Sequence, residues 1–520
     1  MLITEILARN ARMYGAHTAL VEIDPDAGRQ RRMSWKKFDD DANRLAQALI
    51  SQGILKGDPV LLLLENCLEW LPIYFGILRT GAWASPVNTR FEMDTVLKCA
   101  EISAAKALIF SEAFIDEITS AKQLFEQSVE SFIFVGPERR TPDFALSYRQ
   151  IMNTYPPENP VVPLRITDDA ALYFSACIEY QAKAVLLNHR NLEHAGYVEN
   201  HHHQQTHDDN FLCVAPLYYA GAKMHWLGNF MVGAPAVILK ATTPQQILRT
   251  IAEEQVTIAW LLVPMIMDIL FAIDSGEIKL SEYDLRPWRL MHTGTQPVPL
   301  KVIKAWQKHF PYQQYDTNYG LAEATGPGCI HLGMENTHKT GAIGIPGFDW
   351  EIKIVDDSNH PVPDGEAGEL VVSGPGIMKE YYKNQKLTNE VIGDGWLYTG
   401  DIVRMDKDGF LWFVGRKKEA IVTGGENICP LEIEDYLKDH GDIERVAVIG
   451  IPSLRLGEIA AAVIQPKKNA ALTETDIRGY VGSLPRYKQP RKIIFGDIPM
   501  DAAGNIDKQK LKQIYIPHRS

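Results

Sequence analysis

The chain has 520 residues, of which 46% are hydrophobic and 23% charged, with a formal net charge of −12. That length supports two or more domains with large cores, and the composition excludes a disordered or fibrous chain. The acidic balance argues against a nucleic-acid partner. The six cysteines are scattered without metal-ligand spacing, which points to a reducing compartment. The N-terminal residues do not resemble a signal peptide, so a cytoplasmic location is expected. Apolar stretches such as Pro59 to Leu64 are too short to span a bilayer.

Residues 1–30 read as a helix and a short strand. Ser34 can cap a helix in which Phe38, Ala42, Leu45, Ala46, Leu49 and Ile50 share a face. Strands at Val60–Leu64, Ala82–Val87 and Ala107–Phe110 alternate with helices over Cys67–Leu78 and Met93–Ile102. Such alternation predicts a mostly parallel sheet with covering helices. Pro156 to Pro163 marks a linker.

A second alternating unit is expected after Ala170. Its strands are Leu172–Phe174, Phe211–Val214, Ala236–Leu239 and Ile258–Val263, with helices from Asn191 and over Thr243–Glu254. Ile343 to Val414 reads as a small β subdomain of short strands and turns. Beyond Lys418 the pattern is βαββαβ, with helices at Ile433–His440 and Glu474–Leu484 and strands at Val446–Ile451 and Ile459–Gln465. The predicted fold is therefore α/β. A large N-terminal domain, 1–417, holds two doubly wound αβ subdomains and the small β subdomain. A small mobile α+β domain, 418–520, follows a hinge at Lys418.

His201, His202, His203 and His207 invite a metal reading. Adjacent histidines cannot share one helix or strand face, and no carboxylate–histidine spacing supports a metal, so a polar loop or helix face is the expectation there.

The densest stretch for chemistry runs from Trp396 to Glu434. Asp408-Gly409 supplies a turn before an aromatic-rich strand, Phe410 to Val414. Asp401, after Thr399-Gly400, is a carboxylate able to accept two hydrogen bonds from a ribose diol. Arg416 can reach a phosphate or ribose oxygen. Gly424-Gly425-Glu426-Asn427 forms a Gly-rich loop, and a helix opens near Pro430 with Glu432 and Glu434 in its first turns. In isolation these pieces also suit a surface hairpin with ordinary ion pairs.

The whole run resembles the adenylate-forming superfamily, which includes acyl-CoA ligases, aryl-CoA ligases and luciferases. The resemblance implies that Asp401 and Arg416 hold the AMP ribose and that Lys418 is the hinge between domains. It also implies that Gly424, Gly425, Glu426 and Asn427 line the passage for CoA. Tyr319-Gly320-Leu321-Ala322-Glu323 matches a further family motif, with Tyr319 near adenine and Glu323 able to bind Mg²⁺. The family's α-phosphate threonine is Ala322 here. Gly294 and Thr295 lie in the adenine-side loop, Thr293 to Pro297. Tyr219 stands where the family has a gating His or aromatic. By this resemblance Gly425, Lys418 and Tyr219 serve the thioester-forming step.

Two motifs depart from the family. A phosphate loop needs glycines for close backbone approach and hydroxyls as donors. The aligned segment, Phe174 to His189, has Cys177 and Tyr180 at the glycines and Ile178 and Glu179 at the threonines. Lys183 is retained. Near the C-terminus, Asn505 occupies the position of the family's adenylation lysine, and Lys508 lies three residues on.

The losses fall on the phosphates, while the adenosine and CoA groups remain. This pattern favours a protein that takes an acyl-adenylate from a separate adenylating enzyme and transfers the acyl group to CoA, releasing AMP. A carrier-protein thiol could replace CoA. A complete ATP- and Mg²⁺-dependent ligase with a rebuilt phosphate site is the first alternative. A non-catalytic adenylate-binding protein is the second. Acyl-pocket candidates lie around Lys223 to Trp226, Trp260, Met291 to Thr295 and Asn318.

Overall fold

The computed structural model describes residues 1–174, 183–296, 298–326, 328–417, 420–428, 430–468, 470–500 and 506–516. The expected architecture is present: α/β, with a large N-terminal domain and a small C-terminal one.

The strands Pro59–Leu63, Trp83–Pro86, Ala107–Ser111 and Ser131–Val135 lie parallel in an eight-stranded sheet. Val60 to Leu63 are buried at every position, as suits a strand covered on both faces. Asp169–Phe174 and Ala184–Asn188 join this same sheet, with Ala171 beside Ala84. The sequence assigned Leu172–Phe174 to the second unit, and pairing corrects that. An apolar strand suits either sheet, and non-local contacts decide between them.

A nine-stranded sheet holds Phe211–Cys213, Ala236–Leu239, Ile258–Trp260, Leu290–Thr293 and Gln314–Tyr319 in parallel. The N-terminal strand Thr18–Asp24 pairs here too, parallel to Ala236–Leu239. The two αβ units thus exchange strands, so neither is a contiguous piece of chain. Ser34 caps the helix Trp35–Ser51, its hydroxyl accepting from the Lys37 amide at 3.2 Å. Ile50 is 39% exposed and leaves the expected apolar face, because Leu49 beside it takes the core position.

The third sheet is antiparallel and carries Glu351–Val355, Ala367–Ser373, Trp396–Met405 and Leu411–Arg416. Its last strand runs past Val414 to Arg416, because Arg416 pairs with Asp401 in register.

The C-terminal domain opens on a hairpin, Ile421–Thr423 with Glu426–Ile428, ahead of the helix Pro430–Lys438. Gly424 and Gly425 turn it at φ +58° and +91°, the left-handed pair that a two-residue hairpin turn requires. The expected βαββαβ order therefore gains a leading strand. The helix Lys508–Tyr515 closes the described chain. No helix among the described residues is long and apolar enough to cross a membrane.

Candidate active site

The buried Asp401 is the centre of a triad with Arg416 and Tyr319. The register between Trp396–Met405 and Leu411–Arg416 sets Arg416 directly opposite, and its Nε lies 2.9 Å from Asp401 Oδ1. The Tyr319 hydroxyl, from the end of Gln314–Tyr319, donates to Asp401 Oδ2 at 2.6 Å. A carboxylate offers about four lone-pair sites, so two remain for a diol. Burial pushes the Asp401 carboxyl above its ordinary range, and Arg416 and Tyr319 pull against it.

The turn before Asp401 is braced from outside. Gly400 adopts φ +73°, its amide donates to Glu369 Oε1 at 2.9 Å, and Lys417 Nζ pairs with Glu369 Oε2 at 2.9 Å. Glu369 comes from the strand Ala367–Ser373 of the β subdomain. It ties the Asp401 turn to the residue that precedes Lys418.

Glu323 sits in a short turn after Tyr319, where Tyr381 donates to its Oε1 at 2.6 Å. The Lys183 ammonium lies 5.7 Å from the centroid of the same Tyr381 ring. Ala322 begins that turn. Gly294 has no room for a side chain: a methyl there would meet Asn318 Oδ1 at 2.4 Å. Thr295 follows at φ +71°.

The Gly-rich turn of the C-terminal hairpin reaches into this site. A methyl on Gly425 would lie 3.5 Å from Leu262 and from Thr295 Oγ1, and one on Gly424 would lie 3.7 Å from Pro264. Glu426 pairs with Arg90 at 2.7 Å. Its carboxylate also reaches the Tyr219 hydroxyl, and burial first and Glu426 second raise that phenol well above its usual range. Tyr218 leans on Tyr219 with ring centroids 4.7 Å apart. Asn427 belongs to the strand Glu426–Ile428. The domains also meet at Arg455 and Asp268, 2.6 Å apart.

The structure thus brings Asp401, Arg416 and Tyr319 together, and Gly425, Glu426 and Tyr219 together, with Thr295 touching the second group. Cys177, Ile178, Glu179, Tyr180, Lys418 and Asn505 lie outside the described residues. Lys508 starts a helix, and its ammonium pairs with the buried Glu434 at 2.7 Å.

Among the acyl-pocket candidates, Met224, Trp226 and Met291 are core residues. Lys223 is buried with its ammonium 4.4 Å from the Tyr74 ring centroid and 5.1 Å from that of Tyr173. Burial alone depresses its basicity strongly. The histidine run divides. His201 stacks on Phe348 and His207 on Tyr14, His202 stacks on His331, and His203 turns inward towards Glu199. Glu199 and His203 are four apart on one helix, which corrects the expectation that no carboxylate–histidine spacing exists here.

The chain matches the AMP-binding enzyme family over residues 7–382 and the AMP-binding enzyme C-terminal domain over residues 432–505. A long-chain-fatty-acid–CoA ligase of Mycobacterium tuberculosis is 28% identical over 513 residues, covering 98% of each chain. A crotonobetaine/carnitine–CoA ligase of Escherichia coli is 29% identical over 510 residues, 96% of this chain and 97% of that one. An amide bond synthetase from Marinactinospora thermotolerans shares the fold, with a TM-score of 0.84 at 22% identity over 99% of this chain and 100% of that one.

Proposed function

The chain belongs to the AMP-binding enzyme family, and on that premise we propose that it forms a thioester from an acyl-adenylate and CoA without making the adenylate itself. The thiol sulfur bonds to the carbonyl carbon of the mixed anhydride. The bond from that carbon to the phosphate oxygen breaks, AMP departs with the electron pair, and the thiol proton passes to solvent. An acyl-adenylate is already an activated donor, so orientation is the protein's main contribution. Tyr319, Asp401 and Arg416 hold the ribose, while Gly294 and Thr295 border the base. Lys418 is the hinge between domains 1–417 and 418–520. The Gly424–Asn427 turn and Tyr219 frame the path of the thiol. A separate adenylating enzyme supplies the substrate.

The observation that carries this reading is a contrast within one ligand's footprint. The Tyr319–Asp401–Arg416 triad is built and hydrogen-bonded, whereas positions 177–180 hold Cys, Ile, Glu and Tyr in place of glycines and hydroxyls. Two like charges 4 Å apart repel by about 4 kcal/mol at an effective dielectric near 20, so a carboxylate beside polyphosphate opposes binding. Each lost hydrogen bond to a charged phosphate removes roughly 1.5–3 kcal/mol more.

The CoA-ligase relatives favour a second reading, a complete ATP-dependent ligase. It needs Lys183, Mg²⁺ on Glu323 and a cation in place of Asn505. One carboxylate suits Mg²⁺, which takes one or two together with phosphate oxygens. The Lys508 ammonium is engaged by Glu434, which counts against its replacing the missing lysine.

Thioester formation under two feeds separates the readings. One feed is a panel of carboxylic acids with ATP, Mg²⁺ and CoA. The other is the matching acyl-adenylates with CoA and no ATP. Product from the adenylates alone is expected, and product from acid and ATP sinks the proposal.

A further inference from the structure

Behind the acyl-pocket candidates, six polar side chains from five elements meet in a buried pocket. Glu199 and His203 come from the helix His189–His203, and His225 from the helix Ala220–Met231. His292, Asp316 and His331 come from the strands Leu290–Thr293, Gln314–Tyr319 and Ile330–His331. None of the six is more than 2% exposed.

Their geometry has an inside and an outside. On the outside, His203 Nε2 and His331 Nδ1 lie 2.9 and 3.1 Å from Asp316 Oδ2, and His292 Nε2 lies 3.2 Å from Asn318 Oδ1. The Gly333 amide holds the other Asp316 oxygen at 2.9 Å. If those outer nitrogens carry the protons, the opposite ring nitrogens turn lone pairs inward.

On the inside stands Glu199. Its Oε2 lies 3.2 Å from His203 Nδ1, 3.1 Å from His225 Nδ1 and 3.7 Å from His292 Nδ1, and its Oε1 lies 3.9 Å from His331 Nε2. None of these inner atoms has a well-formed hydrogen bond. Extra protons on His203 and His225 can answer Oε2. They leave Oε1, His292 Nδ1 and His331 Nε2 facing one another without a donor, a costly arrangement in a buried site.

We propose that this cluster binds one divalent first-row transition ion of the zinc class, ligated by Glu199 and the inward nitrogens of His225 and His292, with His203 and His331 adjoining. Donors each about 2.0–2.1 Å from a tetrahedral ion stand roughly 3.4 Å apart, which the observed carboxylate–imidazole separations bracket. Nitrogen-rich donors with one carboxylate select such an ion over Mg²⁺ or Ca²⁺. Outer partners such as Asp316 and Asn318 are what metal-bound imidazoles require to fix tautomer and ring orientation. The ion joins two helices to the edge of the nine-stranded sheet. His225 lies 4.6 Å from Trp260 between ring centroids, so the ion also sets the rear wall of the acyl compartment. This site is independent of how the adenylate is made.

The test is metal analysis of the full chain, purified without a histidine tag from zinc-supplemented culture. About one bound equivalent per chain is expected. Cobalt in place of zinc should give the intense visible bands of a nitrogen-rich, four- or five-coordinate ion. Glu199→Gln and His292→Ala should each lose most of the metal, with far-ultraviolet circular dichroism checking the fold. A metal content below about a tenth of an equivalent with no cobalt bands overturns the proposal, and needs no variant to fold. Metal retained undiminished in both folded variants also overturns it.

Discussion

Under the proposed function, the hairpin Trp396–Arg416 and the segment from Phe174 to Lys183 answer for opposite ends of one ligand. The hairpin holds the Asp401 carboxylate 2.9 Å from the Arg416 guanidinium and 2.6 Å from the Tyr319 phenol. The segment carries Cys177, Ile178, Glu179 and Tyr180 where the family resemblance implies glycines and hydroxyls. Both belong to the large domain, so a general loss of folding constraint does not account for the difference. A division along the bond between nucleoside and polyphosphate fits a site that receives an adenylate already made.

The strongest way to break the comparison is at its intact end. Asp401→Ala removes two charge-assisted partners and leaves Arg416 unanswered. It should lower kcat/KM for acyl-adenylate roughly 100-fold, since each ~1.4 kcal/mol is tenfold in rate. Steady-state kinetics with a synthetic adenylate reads this, and a change under threefold removes Asp401 from the site.

Gly425→Ala tests the thiol side. At φ +91° a side chain costs about 1–2 kcal/mol, so thioester formation should fall about tenfold while AMP affinity holds. An equal loss in both measurements assigns the glycine to the fold alone. Arg90→Ala breaks the pair with Glu426. Arg90's side chain is 55% exposed, so a rise of only about threefold in KM for CoA is expected.

The mildest effect is that of pH. Burial raises the Asp401 carboxyl above its ordinary value. As pH falls below neutrality the raised group takes up a proton before a free aspartate does, and AMP affinity weakens. Calorimetry across that range should show the decline, and Asp401→Asn should flatten it.

Much of this site was legible in the sequence because its parts are local. Asp401 and Arg416 face each other across a single hairpin, and Gly424-Gly425 carries its turn in its composition. Sheet membership was not legible. Thr18–Asp24 and Asp169–Phe174 exchange sheets through pairings distant in sequence. The buried histidine cluster was hidden for the same reason. Its members come from positions 199 to 331, and His225 and His292 sit among Met224, Trp226 and Met291, whose apolar character marks core. Its local signals were the histidine run at 201–203, which reads as a polar face, and the i,i+4 pair Glu199–His203.

The most direct measurement needs no knowledge of the acyl group. It is calorimetric binding of AMP and of ATP with Mg²⁺ to the same preparation. A site that keeps the ribose triad but opposes polyphosphate binds AMP at least about tenfold more tightly than ATP with Mg²⁺. Tighter binding of ATP with Mg²⁺ would show that the phosphate tail is welcomed, and would contradict the division on which the proposed function rests.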